Sequence, residues 1–116
     1  MKLEVGMYVR TKWGYICELI NINDFREPSM KYGVEANYLR DIMFIGDEDI
    51  SKASNNIMNL IEVGDYVNGE KVEDVILDNK MSRIKTTECS TYFEEDIKSI
   101  VTKQEFSQME YKVDND

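Results

Sequence analysis

Two stretches of this chain use one six-position pattern, Glu-Val-Gly, a variable residue, then Tyr-Val. The first is Glu4, Val5, Gly6, Met7, Tyr8, Val9, and the second is Glu62, Val63, Gly64, Asp65, Tyr66, Val67. A repeat of this kind constrains the fold strongly, because one local architecture must serve twice. In both copies a glycine stands where an alternating strand begins, as a turn or bulge with positive φ would require. Val5, Met7 and Val9 share one parity, as do Val63, Asp65 and Val67, while the tyrosines take the other; side chains two apart share a strand face. Each copy then meets a second glycine, Gly14 or Gly69, and a further apolar run at 15–22 or 71–77. The pattern is strand, short turn, strand, used twice.

The copies also end alike. Asp49-Ile50 follows Asp47 and Glu48, and Asp96-Ile97 follows Glu94 and Glu95. Gly6 lies 43 positions ahead of its Asp-Ile and Gly64 lies 32 ahead, so the first copy is the longer one. Span 23–37, which holds the only proline (Pro28), is expected to carry the difference as a surface loop. Units of about sixty residues are marginal alone, so a 116-residue chain of two such units should pack them together. The first repeat is placed at 1–58 and the second at 59–116. Between them Ile50, Ala53, Ile57, Leu60 and Ile61 fall at spacings of three and four, which suits a short helical linker. Residues 38–45 read as a well-buried strand, and 81–87 and 97–101 as further strands. Thr102 with Glu105 fits a capping box, with Phe106 and Met109 on one face of a short closing helix; residues 114–116 should fray.

Much chemistry is excluded. The chain has no histidine, which removes the usual neutral-pH base, Ser-His and Cys-His pairs, and most zinc sites. Cys17 and Cys89 form no CxxC and are expected as reduced core thiols. No phosphate-binding or dinucleotide glycine pattern occurs, and Asp47, Glu48 and Asp49 lack calcium-loop spacing. The reading is a protein that is no enzyme, with neither cofactor nor metal. No apolar run reaches the roughly twenty residues that span a bilayer, and the N-terminus lacks a signal-peptide core, so a soluble cytoplasmic protein is expected.

The net charge of −9 is shared unevenly. Residues 1–60 hold seven Lys/Arg against nine Asp/Glu, for −2, and residues 61–116 hold seven against fourteen, for −7. Such a surface repels phosphate backbones and competes for basic grooves on proteins, so direct nucleic-acid binding is not expected. The candidate protein-binding residues are Glu94, Glu95 and Asp96, with Glu73 and Asp74 as a second cluster. The first half instead interleaves aromatic and basic side chains: Arg10, Lys12, Trp13 and Tyr15 around the 11–14 turn, then Arg26 and Tyr32, with Phe25, Lys31, Tyr38 and Arg40 nearby. If span 23–37 folds back on the first hairpin, Arg10, Lys12, Trp13, Tyr15, Arg26 and Tyr32 would form an anion-binding pocket.

The opening GMYVRTKWGYICELI resembles the first hairpin of SH3-like and KOW-like small barrels. That resemblance implies a mainly-β fold of two tandem SH3-like small-barrel repeats packed together, with the short helical linker and the C-terminal helix added. Two further segments, LIEVGDYVNG and IKSIVTKQEFSQMEYKV, resemble small accessory proteins encoded by phages and mobile elements of Gram-positive bacteria, as does the joint DISKASNNIMNLIEVGDYVNG. The resemblance implies a non-catalytic protein that binds and blocks a host machine, as anti-CRISPR and other anti-defence inhibitors do, through its acidic surface and a basic groove on the host or phage partner. Two alternatives stand beside it: a sponge for a nucleotide immune signal using the basic-aromatic residues, and a structural or regulatory adaptor. Exposed sheet edges would also allow homodimerisation.

Overall fold

The computed structural model describes residues 2–36 and 41–109. Within them the chain is mainly β, with two antiparallel five-stranded sheets, short 3-10 turns and one α-helix. The first sheet contains β1 (Tyr8–Thr11), β2 (Ile16–Ile22), β3 (Tyr32–Glu35), β4 (Ile42–Ile45) and β5 (Ile50–Ser54), ordered β4-β3-β2-β1-β5. The second contains β6 (Tyr66–Val67), β7 (Glu70–Ile76), β8 (Arg83–Thr86), β9 (Thr91–Tyr92) and β10 (Ile100–Val101), ordered β10-β6-β7-β8-β9. Read from the last strand of each half, the two orders are the same. Among the described residues no ladder joins β4 to β5 or β9 to β10, so both sheets are open.

The sequence repeats have local physical causes. Met7 N–H bonds Glu4 O and Asp65 N–H bonds Glu62 O, each at 3.1 Å. These turns enter β1 and β6 through Gly6 and Gly64, at φ of 98° and 97°. The aspartate of each Asp-Ile closes a 3-10 turn, Asp47–Asp49 or Glu94–Asp96. Asp49 Oδ2 accepts Gly46 N–H at 3.0 Å, and Asp96 Oδ2 accepts Phe93 N–H at 3.1 Å. The second glycines are not equivalent. Gly69 and Asn68, both at positive φ, make a two-residue hairpin turn, whereas Gly14 belongs to a wider turn held by Thr11. The match to that wider turn is 86–90, between β8 and β9, where Cys89 takes Gly14's place at φ 66°.

Each half has its own core. Val9, Cys17, Leu19, Tyr32, Val34, Ala36 and Ile45 fill the first; Met58, Ile61, Val67, Val72 and Ile84 fill the second. Met58 and Ile61 come from the stretch that joins the two sheets. The helical linker is shorter than the three-four spacing suggests. Ile50 and Ala53 pair with Thr11 and Val9 as strand β5, and only Ile57–Leu60 turns, capped by Asn56. Pairing to β1 overrides local periodicity. Likewise span 23–37 is not one loop: it turns at Pro28–Met30 and then supplies β3, with Tyr32 and Val34 buried. Strand β4 is an edge rather than a well-buried strand, with Ile42 and Phe44 exposed. Tyr38, Leu39 and Arg40, and the tail at 110–116, lie outside the described residues.

The closing helix α1 (Lys103–Met109) begins at the expected capping box. Thr102 Oγ1 accepts Glu105 N–H at 3.2 Å, and Glu105 Oε1 accepts Thr102 N–H at 3.3 Å. Phe106 stacks on Tyr66 with ring centroids 4.3 Å apart. Among the described residues no helix is long and apolar enough to cross a membrane.

Helix α1 sits against the first hairpin, and Gly14 makes that possible. A Cβ there would lie 2.4 Å from Gln104 Cβ, while one at Gly6 would meet nothing within 4 Å. Both glycines have positive φ, which disfavours alanine by about 1–2 kcal/mol. Gly14→Ala adds overpacking of about 1–3 kcal/mol. Urea unfolding of the two variants should therefore show Gly14→Ala as the more destabilised by a clear margin, and equal losses would contradict this packing.

Candidate functional site

The densest polar cluster lies where the halves meet. Asp65 holds in the second repeat the slot that Met7 holds in the first, so its carboxylate points inward. Arg10 (1% exposed) and Asp65 (0%) are both fully buried. Arg10 Nη1 donates to Asp65 Oδ2 at 2.5 Å and Nη2 to Oδ1 at 2.9 Å, a two-pronged charged contact. The same guanidinium donates to Leu60 O and Gln104 Oε1. Asp65 also accepts the backbone N–H groups of Glu62 and Lys103. Beside it Thr102 Oγ1 donates to Gly14 O at 2.6 Å. Among the described residues no buried side-chain polar atom lacks a partner. The cluster is saturated, and its chemistry is that of a structural joint.

This placement removes Arg10 from the expected anion pocket. The other members do not converge either. Lys12 pairs with Asp49 at 2.9 Å and lies over the Trp13 ring, 4.9 Å from its centroid. Tyr15 packs half-buried on the first core. Tyr32 is buried and donates to Asp47. Arg26 stacks on Phe44 at 4.7 Å, and Lys31 pairs with Asp24. Arg10 lies opposite Ile16 and Tyr32 opposite Ile22, the two ends of the seven-residue β2. That strand spans about 20 Å, so it holds the two basic-aromatic groups apart.

The acidic residues divide as well. Glu94 and Glu95 are exposed, whereas Asp96 is committed to its turn through Phe93 N–H. Asp74 lies across the ladder from Lys85, with Glu73 at the neighbouring bulge. Nothing brings this pair to the 94–96 turn. Glu94 and Glu95 instead line an open groove of about 300 Å³ with Asp78, Lys80, Met81 and Phe93. Asp78 is held in its turn by bonds to Lys80 N–H and Ser82. The polar run Asp78-Asn79-Lys80 reads by itself as no more than a turn, and no periodic signal connects it to 94–95.

Both cysteines are free. Cys17 is in the core, where burial, reinforced by the Glu105 carboxylate, pushes its thiol up to about 11, so it is inert at neutral pH. Cys89 is exposed in its turn, contrary to the core placement expected for it. Among the described residues no three His, Cys, Asp or Glu side chains are grouped to hold a metal ion.

The joint makes two predictions. Asp65→Ala leaves a buried guanidinium without its anion and should destabilise the protein by about 3–5 kcal/mol in urea unfolding, with the Arg10→Met, Asp65→Leu double variant recovering most of the loss. The second concerns acid. Burial opposes ionisation of Glu62, but hydrogen bonds from Lys103 and Lys52 and the Arg10 charge outweigh it and hold the carboxyl below its ordinary value. A depressed folded-state pKa gives stability that is complete above the ordinary glutamate value of about 4.3 and is lost as pH falls through the folded value. The urea midpoint should therefore drop more between pH 6 and pH 3 for wild type than for Glu62→Gln.

No protein-family model matches the chain, and neither does any curated protein or solved structure.

Proposed function

We propose that the protein is a non-catalytic binding protein whose acidic second half engages a basic groove on a host or phage protein, acting as an anti-defence inhibitor of the anti-CRISPR kind. The observation that carries this reading is the groove shared by Glu94, Glu95 and Asp78 with Met81 and Phe93. Carboxylates beside apolar side chains suit a Lys- or Arg-bearing segment, which needs an anion for its charge and apolar surface for its stem. The charge distribution supports it, since residues 61–116 contribute −7 of the −9. The resemblance to phage accessory proteins suggests the class of partner. Each half is read as an open variant of the SH3-like small barrel. What supports this is the shared strand order, with the fifth strand beside the first and a 3-10 turn just before it.

The test is affinity capture of the tagged protein from a Gram-positive host lysate, with mass spectrometry of what co-purifies. Wild type should enrich one host defence or nucleic-acid-processing protein, and rising salt should release it. The Glu94→Lys, Glu95→Lys double variant should lose that protein while keeping its circular dichroism and melting temperature, because neither side chain forms a hydrogen bond or ion pair among the described residues. Asp96 is left intact because its cap is structural. Equal capture by both proteins would overturn the reading.

A further inference from the structure

A sheet accepts another chain at an open strand edge. Among the described residues β4, β5, β9 and β10 each have one such edge. Strands β9 and β10 are two residues long, and β5 carries Lys52, tied to Glu62 at 3.2 Å. Strand β4 differs: Ile42, Met43, Phe44 and Ile45 are all apolar, and among the described residues the strand pairs with β3 alone. It lacks the charges, prolines and extreme shortness by which edges are normally kept single.

Its outward face carries a prepared cation. Ile42 and Phe44 are 49% and 42% exposed, and the Phe44 ring leans over Gly33, close enough that a Cβ there would sit 3.4 Å from Cε1. The Arg26 guanidinium covers that ring. It is fixed by Nε to Met30 O at 2.8 Å, Nη2 to Asn21 Oδ1 at 2.5 Å and Nη2 to Lys31 O at 3.1 Å. All three acceptors are neutral. Among the described residues Arg26 makes no ion pair and its Nη1 donates to nothing. Phe25, in the same turn, is fully exposed.

We infer that β4 is a docking edge for an extended, acidic segment of another polypeptide, which adds as a sixth strand and sets an Asp or Glu carboxylate on Arg26 Nη1. Charge complementarity selects the occupant. A second copy paired β4 to β4 would bring two uncompensated Arg26 groups to one sheet face, between chains that each carry −9. A basic segment would set a second cation beside Arg26. A purely apolar one would cover the guanidinium and supply no anion. Residues 1–60 carry −2 against −7 for residues 61–116, so an acidic segment is repelled less at β4 than on the second sheet.

The experiment is to pan a display library of random seven-residue peptides on the full-length protein, then titrate the enriched peptide into isotope-labelled protein followed by NMR. The expected motif has Asp or Glu at one fixed position with apolar residues alternating around it, and amide shifts concentrate on Ile42–Ile45. Arg26→Gln should weaken that peptide by about tenfold or more, the loss of one charged hydrogen bond. Panning on Arg26→Glu should enrich Lys or Arg at the same position, a reversal that a merely structural Arg26 would not produce. Arg26 lies outside both cores, so circular dichroism of either variant should match wild type. The inference is overturned by the absence of an enriched motif, by a motif without the acid, by shifts away from β4, by unchanged binding in Arg26→Gln, or by sedimentation showing the free protein dimerised through β4.

Discussion

The placement of one half against the other depends on a single buried charge pair, Arg10 with Asp65. The groups of this joint are polar, unlike those of the two cores. It is built from a guanidinium, a carboxylate, two backbone N–H groups, the Leu60 carbonyl and the Gln104 amide. Burying two ions takes from solvation about what their attraction returns, so such a pair is a poor source of net stability. What it enforces is uniqueness. Any other docking of the halves would leave Arg10 or Asp65 buried without its opposite, at a penalty several times larger than the pair is worth. Thr102 and Gly14 hold α1 to the first hairpin beside the joint, and the contact tolerates no side chain at position 14.

Much of the architecture was legible in the residues, and the reasons are local. Glu-Val-Gly marks the entrance turn of each sheet, the aspartate of Asp-Ile caps a 3-10 turn, and Thr102 with Glu105 starts α1. In each case the groups involved lie within three residues of one another along the chain. The joint itself left a signal of another kind. Asp65 breaks the apolar parity that Met7 keeps in the first repeat, and a carboxylate on a core face requires a buried cation. Which cation could not be read, because Arg10 stands on the opposite parity and reaches Asp65 only once the two halves face one another.

The readings that failed relied on segments meeting in space. The basic-aromatic residues look like one pocket when written in a line, but the length of β2 separates them. Spacings of three and four around Ile50 to Leu60 suggest a helix, yet pairing with β1 draws the first part into a strand. The groove at Glu94 and Glu95 was half visible, as an acidic turn; its other wall, the turn at Asp78 to Ser82, arrives by tertiary packing alone. The two sheets consequently present unlike surfaces, an acidic groove with apolar lining on the second and a fixed cation over an apolar edge on the first.

The joint also bears on the order of assembly. Most ladders join strands adjacent in sequence, whereas Arg10 must wait for a partner 55 residues further on. On a ribosome the first sheet can close once β5 has emerged. At that moment its guanidinium has no carboxylate to meet. Asp65 arrives with the second sheet, and Gln104 and the α1 backbone later still. Until then the first half carries an unmatched charge on the surface meant for its sibling. The same residues that fix the finished geometry therefore distinguish a chain that has both sheets from one that has only the first.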